Sequence, residues 1–266
     1  MNKNSKGYNA VVIALLVILL LIGIFMSISI GSSKISLSEI ISAMQEGDNT
    51  SKTYRIISFV RIPRTLAAVL AGCSLSVSGA ILQSVLNNSL AGPSIIGVNS
   101  GAGFFTVLIA AFFPTNLYYT TIAAFMGALL AVLLVYFIAR KTGASRMTIV
   151  LSGVAVSSFI GAMTDTVLIL KPNTTTERIA FLIGGLSGIS MDRLVFAGVF
   201  IIFALIIALF LSYDMNILAL GDESAKSLGL NVIRIRFIFL ILAAMLAGSA
   251  ISIAGLLGFV GLIVPH

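Results

Sequence analysis

Residues 66–79 read LAAVLAGCSLSVSG, and residues 242–255 read LAAMLAGSAISIAG. Eight of the 14 aligned positions are identical: Leu66/Leu242, Ala67/Ala243, Ala68/Ala244, Leu70/Leu246, Ala71/Ala247, Gly72/Gly248, Ser76/Ser252 and Gly79/Gly255. Each copy lies inside a long apolar run, and the second begins 176 residues after the first. A small-residue repeat within apolar segments points to a transporter assembled from two related halves. Ala, Leu, Gly and Ser are common in membrane helices, so part of the identity comes from composition.

Composition supports a bilayer as the solvent. The chain is 59% hydrophobic and 9% charged, with a mean hydropathy of +1.14, whereas soluble domains carry about 25% charged residues. The net charge of +7 is not gathered into a cluster suited to nucleic acid. One cysteine, Cys73, excludes an internal disulfide framework. Lys3 and Lys6 precede an apolar run at 10–30. It is longer than the ~7–15 residues of a signal h-region and lacks a convincing cleavage site, so it reads as a retained first span.

Further apolar runs place span two at about 64–86, opened by Pro63, and span three at 95–113, stopped by Pro114. Spans four to seven cover about 117–139, 147–170, 193–213 and 235–255, and Leu256–His266 begins an eighth. The fold class is therefore an all-α polytopic membrane protein with about seven complete transmembrane helices and a partial eighth. The repeat copies sit in spans two and seven. Five steps separate them, an odd number, so they cross the bilayer in opposite directions, as in an inverted repeat.

That symmetry sets an expectation about completeness. Residues 1–266 are expected to form a single transmembrane domain, incomplete, with a first half at about 9–192 and a shortened second half at about 193–266. Only 11 residues follow the second copy, about 16 Å of helix against a hydrocarbon core of about 30 Å. The 266 residues alone are expected not to transport, and an inactive fragment is one reading.

Small residues recur at every fourth position: Ala68, Gly72, Ser76 and Ala80; Ala244, Gly248 and Ser252; Gly153, Ser157 and Gly161. They share helix faces and allow close backbone approach. The Gly153–Ser157–Gly161 face can also line a path, with Asp165 as the one acid within a span, either functional or reaching interfacial water near the span's end. Lys and Arg divide evenly between the two sides of the membrane. The short turn with Arg140, Lys141 and Arg146 favours an inside N-terminus.

Catalytic signals are weak. Gly185-Leu186-Ser187-Gly188 matches a short pattern of intramembrane serine proteases, yet its base would have to be His266, the sole histidine. One His and one Cys cannot assemble a metal site, and no Walker A lysine motif is present. No catalytic residue, metal or cofactor is assigned. The sharpest local feature is Leu220-Gly221-Asp222-Glu223, continuing through Ala225 to Ser227-Leu228-Gly229. Asp222 can cap a short helix, Gly229 can end it, and Ala225 and Leu228 fall on one face. Such a helix suits either a groove in a cytosolic partner or the lipid surface.

Four segments together resemble the FecCD family, the permease subunits of binding-protein-dependent ABC importers for iron–siderophores, haem and vitamin B12. They are Arg61–Ala67; Gly79–Gln83 leading to Leu90–Pro93 and Gly97–Ala102; Leu218–Glu223 with Ser227–Leu230; and Gly258–His266. The motifs keep the family's order along essentially the whole chain. Asn88-Ser89-Leu90-Ala91 departs from the family's Asn-Pro-Leu-Ala, and family members have ten spans with both termini inside. The resemblance implies that the 218–230 loop docks cytosolic ATP-binding subunits, and that Arg61 and Arg64 meet an extracytoplasmic substrate-binding protein. It also implies that two permease subunits, identical or different, pair around a path in the lipid bilayer of the cell membrane. The expected function is import of a ferric siderophore, with haem or cobalamin as alternatives. A secondary transporter with inverted repeats is the alternative from another class.

Overall fold

A computed structural model describes residues 3–31, 33, 35–46, 50–113, 117–141, 143 and 145–265. The readings that fall on Pro114 and His266 lie outside the described residues. Helices follow in the order α1 (Lys3–Ser29), α2 (Leu37–Glu46), α3 (Lys52–Ile56), α4 (Ile62–Leu86), α5 (Val98–Phe112), α6 (Leu117–Lys141) and α7 (Arg146–Leu170). Then come α8 (Thr175–Ile183), α9 (Met191–Phe210), α10 (Ser212–Ala219), α11 (Asp222–Ser227), α12 (Val232–Ala254) and α13 (Val260–Ile263). Among the described residues there is no strand. Among the described residues, six helical segments are long and apolar enough to cross a membrane: Ala10–Ser29, Lys52–Leu86, Tyr118–Lys141, Arg146–Leu170, Met191–Phe210 and Val232–Ala254. The third apolar run forms a shorter helix of 15 residues, α5.

Pro63 does not open the second span. Helix runs from Lys52 to Leu86, with a π-turn at Ile57–Arg61 joining α3 to α4. Proline has no N–H to give to the preceding turn. The chain widens there, and the Ile62 N–H bonds to Ile57 O, five residues back. The run after Gly255 also departs from a simple span. Gly255 takes φ 68° and Phe259 takes φ 64°, and helix resumes only at α13.

The chain forms two compact units, Met1–Leu66 and Ala67–His266. In the second, α12 is the central helix. Its apolar window is 78% buried, and α5, α6 and α9 pack on it. The reason lies in its sequence. Ala243, Ala244, Ala247, Gly248 and Ala250 keep the helix thin, so neighbours approach its backbone. A methyl group added at Gly248 would stand 2.8 Å from the Ala128 side chain. The two repeat copies meet directly. Ser74 Oγ donates to Leu246 O (3.2 Å), and Ser78 Oγ donates to Ala243 O (2.8 Å). The partner's number falls as the serine's rises, so the copies run antiparallel, in accord with an inverted repeat.

The repeated residues nevertheless occupy different surroundings. The Ala68–Gly72–Ser76–Ala80 face of α4 is half-buried or exposed, and nothing lies within 4 Å of a side chain at Gly72. Here α4 packs through Ala67, Ala71, Ser74, Leu75 and Ser78. In α12 the matching Ala244, Gly248 and Ser252 are buried. Gly79 continues a helix, whereas Gly255 ends one.

Candidate coupling segment and substrate path

The chain between α9 and α12 folds as α10, a turn at Gly221 and α11. Leu218 and Ala225 are fully buried and anchor the segment from beneath. Its end is a Schellman motif: Gly229 N–H donates to Lys226 O (2.9 Å) and Leu230 N–H to Ala225 O (3.0 Å), with Gly229 at φ 83°. The sequence placed that stop correctly but misjudged two neighbours. Gly221, not Asp222, is the cap residue, and no side chain caps α11. Ala225 and Leu228 do not share a face, since Ala225 is buried while Leu228 is 62% exposed. A six-residue helix ending in a tight cap turns these two positions apart. The outer surface carries Leu220, Glu223, Ser224, Lys226, Ser227 and Leu228.

Asp222 has a different partner from the one a cap would supply. Its Oδ1 lies 2.7 Å from an Arg146 Nη and accepts a hydrogen bond of 2.6 Å from an Arg236 Nη. Partial burial pushes the carboxyl upward, but the two guanidiniums outweigh it and hold Asp222 below its ordinary value. Arg146 opens α7, and Arg236 lies in the second turn of α12 and is 2% exposed. Sequence used Arg146 only to orient the chain and did not pair either arginine with Asp222. The available signal was a cation at the start of an apolar helix, where the macrodipole disfavours it unless an acid is near. The ion pairs also bring the Arg140–Arg146 turn and the 212–231 segment to one end of the second unit.

The two candidate docking arginines separate. Arg61 is buried, and its guanidinium donates to Ile28 O (2.7 Å), Ser29 O (2.8 Å) and Ser33 O (2.8 Å). These groups include the last carbonyls of α1, which lack helical partners. Ser27 and Thr65 hydroxyls meet at 2.7 Å beside them. Arg61 is thus not presented to solvent, and Arg64 is exposed.

On α7, Gly153 is a packing residue: any side chain there would collide with Ile95 O. Ser157 is half-buried beside Gly97 at the start of α5. Gly161 has open space around it and lines a cavity of about 170 Å³ with Asn99, Ser100, Phe104, Thr164 and Arg178. Asp165 is exposed and pairs with the cavity-lining Arg178 of α8 at 3.7 Å. A neighbouring cavity of about 280 Å³ holds Glu177, Ser187 and Arg193. Arg193 Nε donates to Thr121 Oγ1 (2.6 Å) and an Nη to Ser252 O (3.3 Å). Its wall closes where the end of α8 pairs with the end of α12. Gly185 N–H donates to Ala254 O (2.6 Å) and Leu256 N–H to Phe181 O (2.9 Å). Backbone freed at two helix ends is satisfied mutually.

A bundle of membrane-length helices, with small-residue cores and polar cavities between broken helix ends, defines a multi-pass membrane transport protein. The chain belongs to the FecCD transport family, whose profile matches residues 19–266. It is 36% identical to the Fe(3+)-citrate import system permease protein YfmD of Bacillus subtilis (strain 168), over 99% of this chain and 78% of the relative. It is 35% identical to the ferric enterobactin transport system permease protein FepD of Escherichia coli (strain K12), over 97% of this chain and 78% of that one. A solved structure of a metal-chelate type ABC transporter in an inward-facing conformation matches with a TM-score of 0.82 at 27% identity, covering 95% of this chain and 78% of its own.

Proposed function

We propose that the chain is the permease subunit of an ABC importer that carries a ferric chelate across the cytoplasmic membrane. Two permeases, of the same or different sequence, surround the path. Cytosolic ATP-binding subunits dock at the 220–229 segment and hydrolyse ATP, and the permease itself has no enzymatic role. An extracytoplasmic binding protein delivers the chelate near Arg64. The observation that carries the reading is the outer surface of the 220–229 segment, at the two ends of α11. Leu220 and Leu228 are 65% and 62% exposed on a segment held rigid from below by buried Leu218 and Ala225. Rigid backing with exposed apolar anchors suits a protein groove. Relatives named for iron citrate and enterobactin favour an iron chelate as the cargo. A relative named for cobalamin import, 36% identical over 79% of this chain, makes cobalamin the competing cargo.

The test is uptake of radiolabelled ferric citrate, a ferric hydroxamate, ferric enterobactin and cobalamin in cells expressing the transporter with its partner subunits. Leu228→Asp and Glu223→Lys should insert normally and abolish uptake. Normal uptake by both variants would reject the docking role, and uptake of cobalamin alone would replace the cargo. Uptake that persists without ATP and collapses with an ionophore would favour a secondary transporter.

A further inference from the structure

We propose that Asp222 is a positioning residue for energy coupling: one carboxylate oxygen ties the docking segment to both α7 and α12, so that α7 follows the segment when it moves. The inference rests on the reading of 220–229 as the docking segment. Three observations support it. First, the link to α7 is ionic. The start of α7 and the segment line one shallow surface depression, formed by Ser145, Arg146, Met147, Leu220, Asp222 and Glu223, and the 2.7 Å Arg146–Asp222 pair joins them there. Second, both arginines stand near helix N-termini, where a cation is disfavoured, and Arg236 is 2% exposed. A buried cation in that position needs its acid, so the tie is strongly specified. Third, the segment is internally rigid, through buried Leu218 and Ala225 and the Schellman cap. Force applied at its outer face therefore reaches Asp222 with little loss. The helix at the far side of the pair is α7, which carries the Ser157–Gly161–Asp165 face.

The test uses the complete importer, permease with its ATP-binding subunits, in proteoliposomes. Cys73→Ser removes the single native thiol, and Ser158→Cys places one on the exposed face of α7. The readouts are retention of the ATP-binding subunits, their ATP hydrolysis, and the change in thiol-labelling rate between the ATP-free and vanadate-trapped states. Arg146→Gln breaks the α7 tie and leaves buried Arg236 paired, so folding is preserved. It should keep the subunits and their hydrolysis while shrinking the labelling change at least about fivefold. Arg146→Lys should restore part of the change. Asp222→Asn combined with Arg146→Gln should lose no more than Asp222→Asn alone, because both remove one link. A full labelling change in Arg146→Gln would overturn the proposal, and so would loss of the subunits in that variant, which would make Arg146 a docking contact. Leu228→Asp separates the two ideas. Release of the subunits by Leu228→Asp beside an unaffected Arg146→Gln sinks the tie and leaves the docking reading standing. Retention of subunits and labelling change in Leu228→Asp sinks the docking reading, and the tie with it.

Discussion

Arg61 and Arg64 lie three residues apart on one helical run, and sequence gave them one role. Their neighbours separate them: Arg61 meets the carbonyls at the end of α1, while Arg64 remains exposed. A motif carries residue types but not which chain end will lie beside each one, so this difference was not legible. Arg61→Ala should lose about 1.5–3 kcal/mol of stability, the range for hydrogen bonds from a charged group. It should leave affinity for the binding protein unchanged. Arg64→Glu should leave stability unchanged and weaken that affinity roughly tenfold. Thermal denaturation in detergent and equilibrium binding measure the two effects, and the opposite pattern would reverse the assignment. Asp222 gives a pH signature. Its folded value lies below its ordinary value of 3.8, so its contribution to stability is complete above that ordinary value and disappears as pH falls through the lower folded one. Asp222→Asn should flatten the acid limb of the melting temperature below about pH 4. An acid limb as steep as that of the parent would show that Asp222 is not responsible.

At the scale of elements, hydropathy read the helices well because a bilayer demands long apolar runs. It failed where backbone chemistry rules. Pro63 lies within a helix that relieves its missing N–H by a π-turn, and Gly255 and Phe259 take positive φ before helix resumes. Periodicity also could not separate a packing face from a path face. The single stripe Gly153–Ser157–Gly161 contains a packed glycine and a glycine beside a cavity, because only at Gly153 does a neighbouring backbone press close. Gly153→Ala should destabilise the protein strongly by forcing α7 from Ile95, whereas Gly161→Ala should fold normally, since its side chain would enter open space. Equal melting temperatures for the two variants would contradict this. The repeat contact is testable in the same way. Ser74→Ala with Ser78→Ala removes two hydrogen bonds between the copies, and the expected cost is about 0.6 kcal/mol for each. A double variant as stable as the parent would mean that helix packing alone holds the copies together.

For the whole molecule, the inverted repeat was visible as eight shared positions, and the antiparallel meeting of α4 and α12 accords with it. The different surroundings of equivalent residues were not visible, because they depend on which helices come to lie alongside each copy. The central claim is that the exposed surface of α11 is where ATP hydrolysis enters the transport cycle. The most direct measurement places a photoreactive amino acid at Leu228, irradiates the protein in its native membrane and identifies the crosslinked chain by mass spectrometry. The account predicts a cytosolic subunit bearing a nucleotide-binding motif, with the crosslink abolished by Glu223→Lys. Crosslinking to lipid alone, with the protein still transporting, would contradict it.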